Sequence, residues 1–169
     1  MGCKGYPNTG FSWSNEGTII FKGKCFIGNN SSIIVGKTGT LTFGQNFLAT
    51  TSLKLFCFCN ISFLERTIFG WDCTVQDTDF HPLYNIKKKC FNKGYGKIVV
   101  GKNNWFSQGC LILHSVRTPD NCIFAARSVI TRKSESNEYC IHSGYPSKVI
   151  AKNMKLDYDN YMIQNYSDP

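Results

Sequence analysis

The stretch VGKNNWFSQGCLILHSVRTPDNCIFAARSVI, residues 100–130, repeats itself every six residues. Val100, Phe106, Ile112, Thr118, Phe124 and Ile130 lead the units, and only Thr118 among them is not bulky and apolar. Four places after the first five leads stand Asn104, Cys110, Val116, Cys122 and Ser128, most of them small. A period of six is neither the 3.6 of an amphipathic helix nor the alternation of a hairpin strand. It fits short extended segments, each sending one large and one small side chain inward before the chain turns. Three such segments close a triangular coil, and stacked coils bury a column that no single coil can bury. The expected fold is all-β, a parallel β-helix.

Upstream the pattern returns with interruptions. Phe43, Ala49 and Leu55 keep the step of six, as do Phe63, Phe69 and Val75. The joins from Ile27 to Val35, Val35 to Phe43 and Leu55 to Phe63 take eight residues. Two extra residues at a corner bulge outward and leave the inward column in place. An antiparallel sandwich would not resume in phase in this way. Glycine follows several leads (Gly28, Gly36, Gly44, Gly70 and Gly101), where it is expected to supply a tight turn. The longest interruption, Gln76 to Lys97, holds His81-Pro82 and the run Lys87-Lys88-Lys89. Long excursions from regular solenoids tend to carry function. After Ile130 the phase is lost. Residues 1–150 are read as one solenoid domain with loop 76–97 inserted, and 151–169 as a polar, tyrosine-rich tail with room for a short helix.

A chain of 169 residues is long enough for one continuous core. Its 42% hydrophobic and 18% charged content excludes a disordered chain. No apolar run nears the roughly 18 residues that cross a bilayer, so no stable membrane insertion is expected. The opening Met1-Gly2-Cys3-Lys4 lacks the apolar core of a secretory signal, and a cytoplasmic location follows as the expectation. The nine cysteines are odd in number and contain no CxxC pair; Cys57-Phe58-Cys59 suits neither a zinc ribbon nor a redox pair. They read as free thiols filling the core. The net charge of +8 favours an anionic partner, or is simply a solvated basic surface.

Several segments carry a resemblance. Val100-Gly101-Lys102-Asn103-Asn104-Trp105-Phe106, Ala125-Ala126-Arg127-Ser128-Val129-Ile130-Thr131 and Ser143-Gly144-Tyr145-Pro146-Ser147-Lys148-Val149-Ile150 resemble the closing coils of the hexapeptide-repeat acyltransferases. Gly70-Trp71-Asp72-Cys73-Thr74-Val75-Gln76-Asp77-Thr78-Asp79-Phe80-His81-Pro82 resembles the active-site segment of the same family. The similarity covers about residues 19–150 and is nearest to the sugar O-acetyltransferases of capsule and O-antigen synthesis, related to galactoside and maltose acetyltransferases. It implies a left-handed parallel β-helix, a homotrimer with active sites between subunits, acetyl-CoA as co-substrate and a sugar hydroxyl as acceptor.

His81 matches the family's catalytic histidine, and imidazole titrates close enough to neutrality to take an alcohol proton. Asp77 and Asp79 either hold that ring, bind the acceptor, or shape the loop as Asx turns. Trp105 matches a tryptophan near the thioester and acceptor, or packs between subunits. By the same resemblance Gln108, Ala126 and Thr131 line the pantetheine groove, and Arg127, Arg132 and Lys148 are candidates for the CoA phosphates. The chain departs from the family at Ser107 and Pro119, where relatives carry glycine, and at Arg127, where they have the glycine of Ala-Gly.

Other chemistries compete. An acyl-cysteine route would use Cys73, Cys110 or Cys122, all on small inward positions where a thiol is inert. A zinc carbonic anhydrase wants three converging histidines, and His81, His114 and His142 are not spaced as one cluster, so no metal is expected. The basic run with Phe91 and Lys93 suits a non-catalytic binder, but no nucleic-acid motif accompanies it and no nucleic-acid partner is expected. N-acetylation of a nucleotide-linked amino sugar keeps the same chemistry. The lack of an obvious nucleotide-binding domain turns the reading toward O-acetylation.

Overall fold

The computed structural model describes residues 10–159. The chain winds through stacked three-sided coils. The first is β1 (Phe11–Asn15), β2 (Thr18–Phe21) and β3 (Cys25–Ile27); the second is β4 (Ser31–Val35), β5 (Thr40–Phe43) and β6 (Phe47–Ala49). The third is β7 (Lys54–Cys57), β8 (Asn60–Phe63) and β9 (Ile68–Phe69). In the fourth, a hairpin of β11 (Tyr84–Asn85) and β12 (Cys90–Phe91) stands between β10 (Thr74–Gln76) and the pair β13 (Ile98–Val100) and β14 (Trp105–Phe106). The fifth is β15 (Leu111–Ile112), β16 (Val116–Arg117) and β17 (Ile123–Phe124). The sixth keeps only β18 (Val129–Ile130) and β19 (Cys140–Gly144), against which β20 (Ser147–Lys152) closes the end antiparallel.

Corresponding strands stack into three parallel sheets, here called A (first strands), B (second) and C (third). The repeat explains the core directly. Every lead from Val100 to Ile130 is buried, as is every small partner from Asn104 to Ser128. In sheet C the rings of Phe69, Phe106 and Phe124 stack at 4.7 and 4.6 Å. Burying each such ring stabilises the fold by about 1.5–3 kcal/mol. Asn104 is tolerated inside because its whole amide is used. Its Nδ2 donates to Thr118 Oγ1 and to the Pro119 carbonyl, both at 2.8 Å, and its Oδ1 accepts from the Cys122 N–H at 2.7 Å.

The strand register corrects three expectations. Ile33, not Val35, pairs with Leu55 in sheet A and continues through Val75, Ile112 and Ile130. With Ile33 as the lead, the steps from B to C and from C to A are six residues throughout, from Phe21 to Ile130. The step from A to B takes ten residues from Ile33 to Phe43, eight from Leu55 to Phe63 and twenty-five from Val75 to Val100. All the added chain therefore lies along one edge of the prism, between sheets A and B.

The second correction concerns the glycines after the leads. None of Gly28, Gly36, Gly44, Gly70 or Gly101 has positive φ. A Cβ on Gly28 would meet the Thr50 carbonyl oxygen, and one on Gly101 that of Pro119. These glycines let the next coil approach. The turn itself is made three residues after a lead, in the left-handed region, by Asn30, Asn46, Ser52, Arg66, Asp72, Asn103, Ser115, Asn121 and Arg127 at φ 53–62°. Asn and Asp bear that conformation at low cost; an arginine, as at Arg66 and Arg127, bears it at higher cost.

The third concerns the phase after Ile130, which is interrupted but not lost. His142 pairs with Phe124 in register, twelve residues beyond Ile130, and stacks on its ring at 5.0 Å. Its Nε2 lies 3.0 Å from the Asn137 carbonyl oxygen. It caps the aromatic ladder. Residues 153–159 contain no helix, and the rest of the tail lies outside the described residues. Tyr158 nevertheless reaches back to the second and third coils, donating to the Asn46 carbonyl at 3.2 Å beneath the Arg66 guanidinium. Among the described residues no helix is long and apolar enough to cross a membrane.

Candidate active site

The edge between A and B is where the chain departs most from regularity, and β10 delivers the candidate residues to it. Asp77, the first residue after β10, is fully buried. Its carboxylate accepts from the N–H groups of Phe58 and Cys59 in the coil beneath, each at 2.8 Å. Its carbonyl accepts from Gly96 N–H at 3.0 Å, where the excursion returns. All these contacts are structural. Asp79 continues the closure, its N–H donating to Gly94 O at 2.7 Å, beside an antiparallel bridge between Thr78 and Tyr95.

Phe80 sets the place of His81. It sits at φ 63°, with its ring edge-on to Phe56 at 5.6 Å and to Phe58 at 5.5 Å. Gly36 makes room beneath, since a Cβ there would run into the Phe58 ring. His81 N–H donates to Asp79 O at 2.7 Å, and the residue is exposed at the root of the excursion. A base so placed is open to an incoming substrate.

The Asp79 carboxylate meets a different histidine. Its Oδ2 lies 3.3 Å from Nε2 of His114, one coil further along the same edge. His114 Nδ1 lies 3.0 Å from Ser115 Oγ, so both ring nitrogens are engaged. Sequence reading left His114 as a residue within a repeat. The signal was there: it stands two places after lead Ile112, where the chain rounds the edge that carries the excursion.

The remaining candidates fall into three groups. Thr131 and Arg132 follow β18 on the A–B edge, and the Thr131 hydroxyl accepts from Lys133 N–H at 3.1 Å. Gln108, Ala126 and Arg127 lie on the edge between C and A, with Arg127 N–H donating to Gln108 O at 2.8 Å. Lys148, exposed on β20 opposite Ser143, lies near that edge. Trp105 points outward from sheet C while its neighbour Phe106 points in. In a triangular prism the A–B edge is opposite face C. One chain therefore does not bring Trp105 to His81.

A cleft of about 130 Å³ opens where the sixth coil lacks its B strand, lined by Arg117, Thr118, Ile130, Arg132 and Glu135 among others. Sites for drug-sized ligands run to roughly 300–1,000 Å³, so this cleft alone does not hold an acyl-CoA. Among the described residues Cys57, Cys73, Cys110, Cys122 and Cys140 are buried, Cys25 and Cys59 are partly exposed, and Cys90 is exposed. Burial pushes Cys57 and Cys122 up to about 12 and Cys25 to about 11. A hydrogen bond with Cys110, together with burial, raises Cys73 further. None of these four is a thiolate at neutral pH. Among the described residues, no three His, Cys, Asp or Glu side chains converge as a metal site.

No protein-family profile matches the chain. The galactoside O-acetyltransferase of Lactococcus lactis subsp. lactis (strain IL1403) is 27% identical over 119 residues, 70% of this chain and 56% of that relative. The chain thus spans little more than half the length of the curated relative it matches. The crystal structure of the polySia-specific acetyltransferase NeuO superposes with a TM-score of 0.58 at 18% identity, over 82% of this chain and 67% of that one. AntD, an N-acyltransferase from Bacillus cereus solved with dTDP and 3-hydroxybutyryl-CoA, gives 0.60 at 17% identity, over 84% and 76%. The fold is the left-handed parallel β-helix of these enzymes.

Proposed function

We propose that this chain, a member of the hexapeptide-repeat acetyltransferase family by its repeat and its fold, moves an acetyl group from acetyl-CoA to a sugar hydroxyl with His81 as general base. The observation that carries this reading is the exposed His81, fixed by Phe80 and the buried Asp77 at the root of the one long excursion. Acetyl-CoA supplies an activated acetyl thioester. His81 takes the proton of the attacking hydroxyl as the new C–O bond forms, and returns it to the sulfur as the C–S bond breaks. Asp79, paired with His114, holds the neighbouring coil to the root of the loop and keeps the base in place. Relatives that act on galactosides and polySia support a sugar acceptor, and capsule or O-antigen synthesis is the setting that fits. AntD supports a second reading, N-acylation of a nucleotide-linked amino sugar. Thiol release from acetyl-CoA, measured against a panel of sugars and amino sugars, decides between them. No release with any acceptor would remove both.

Because His81 and Trp105 lie on opposite sides of the prism, a site using both must draw them from two chains. We take the active form to be a homotrimer with shared sites. His81→Ala and Trp105→Ala chains, each weak alone, should regain activity when refolded together, since some interfaces then combine an intact histidine with an intact tryptophan. Mixed trimers no more active than the parents would overturn the shared site.

CoA phosphates need cations on an open surface, and Arg127, Arg132 and Lys148 are all exposed. Arg132→Ala and Lys148→Ala are each expected to raise the acetyl-CoA KM by roughly 5- to 30-fold with kcat kept, as contacts remote from the thioester bind ground and transition states alike. Acetyl-pantetheine, without those phosphates, should be indifferent. An equal loss with both donors would show that these residues do not hold phosphate.

A further inference from the structure

We infer that Asp79, His114 and Ser115 form a second reaction centre, in which Ser115 Oγ is a nucleophile that cleaves acetate esters of alcohols. Such cleavage is a hydrolysis, separate from the acyl transfer proposed above. The first support is the line of contacts through the imidazole. Asp79 Oδ2 lies 3.3 Å from His114 Nε2, and Ser115 Oγ lies 3.0 Å from Nδ1 on the other side of the ring. A carboxylate only accepts, so Nε2 carries the hydrogen that faces it. In the neutral ring that leaves a lone pair on Nδ1, and the serine hydroxyl donates to it. Carboxylate, imidazole and hydroxyl in this line are a nucleophile, its base and the group that orients the base. The ring is turned end for end relative to the serine proteases, with Nδ1 as the base. Such a group is defined by the role each member plays, not by its place in the chain.

The second support is how the serine is held. Ser115 sits in the left-handed region at φ 62°, where a residue with a Cβ is uncommon and glycine is at ease. Its N–H donates to the Gly96 carbonyl at 3.3 Å, and Gly96 N–H donates in turn to the Asp77 carbonyl at 3.0 Å. A Cβ on Gly96 would run into Ser115 Oγ, so glycine there leaves the hydroxyl its place. Backbone of this kind persists where the surroundings over-determine it, and it gathers at reactive sites. The group is tied to both ends of the excursion, to its start through Asp79 and to its return through Gly96. In the reaction, Ser115 Oγ attacks the carbonyl carbon of the ester and its proton passes to His114 Nδ1. The C–O bond to the alcohol breaks, and Nδ1 gives that proton to the departing oxygen. Water then attacks acetyl-Ser115 and yields a proton to Nδ1, which returns it to the serine oxygen as acetic acid leaves. One ester and one water become one alcohol and one acetic acid.

The test uses p-nitrophenyl acetate and a fluorophosphonate, with no CoA present. The native protein should hydrolyse the ester over many turnovers and should take up phosphonate on the peptide that carries Ser115. Ser115→Gly should lose both and keep its thermal transition, because glycine suits the corner. His114→Ala should slow both by roughly 10²-fold or more, the effect of removing a general base. Asp79→Asn should slow them by at least roughly tenfold. Its amide can turn NH2 toward Nε2, and the other tautomer then puts the hydrogen on Nδ1. A native protein that takes no phosphonate at Ser115 would overturn the proposal. So would labelling of Ser115 at an undiminished rate in His114→Ala, since the imidazole would then not activate it. Ester hydrolysis that Ser115→Gly leaves unchanged would do the same. Failure of the transfer reading looks different: no thiol release from acetyl-CoA with any acceptor, while Ser115 still takes the phosphonate.

Discussion

His81→Ala is expected to lower kcat by roughly 10²–10⁴-fold, the usual worth of a general base, while leaving the thermal transition and acetyl-CoA binding unchanged. The reason is positional. The His81 side chain is exposed and lies outside the stacked columns, so its removal costs the fold little. What holds the residue in place is its predecessor, the Phe80 ring set between Phe56 and Phe58. The loss should therefore be chemical. Phe80→Ala should act differently, lowering kcat by releasing the root of the loop while His81 remains. His114→Ala gives the third comparison: Asp79 loses its partner, so a modest loss confirms a positioning role. If His114→Ala abolished turnover and His81→Ala spared it, the base would be His114.

The inward columns were legible because a six-residue period has few physical solutions. Large leads and small partners alternate around three faces, and residues 100–130 are buried as that pattern requires. Thr118, the weakest lead, earns its place through hydrogen bonding, since its hydroxyl serves Gly101 N–H and the Asn104 amide. The turns were less legible. Glycine after a lead suggested a left-handed turn, but glycine also answers a need for space, and only the position of the neighbouring coil tells the two apart. The turn residue had its own signature in Asn30, Asn46, Asn103 and Asn121, each three places after a lead. His142 was harder to see. An imidazole does not look like a core residue until it is found stacked on Phe124 with Nε2 against a carbonyl. In the candidate site, sequence singled out the excursion and His81 but could not separate Asp77 from Asp79. Both stand near the histidine in the chain; which is buried depends on the coil beneath.

That separation gives the second large effect. Asp77→Ala should destabilise the protein by about 3–5 kcal/mol, measured by denaturant unfolding. The carboxylate is fully buried and accepts two backbone N–H groups of the third coil, and hydrogen bonds to a charged acceptor contribute about 1.5–3 kcal/mol each. Alanine leaves both N–H donors without their acceptor in a part-buried corner. Asp77→Asn should lose less, because Oδ1 still accepts from one N–H, while the amide NH2 is turned toward the other and repels it. The two variants also separate structural from catalytic duty. If Asp77 only holds the corner, Asp77→Asn should keep kcat within a few-fold at temperatures where it is folded, and hydrogen exchange at Phe58 and Cys59 should rise. If Asp77 oriented His81 or bound the acceptor, the same variant would lose kcat with exchange at those two amides unchanged. The opposite pattern is expected at Asp79, half-exposed against His114: Asp79→Asn should barely move the unfolding midpoint and should fall chiefly on kcat.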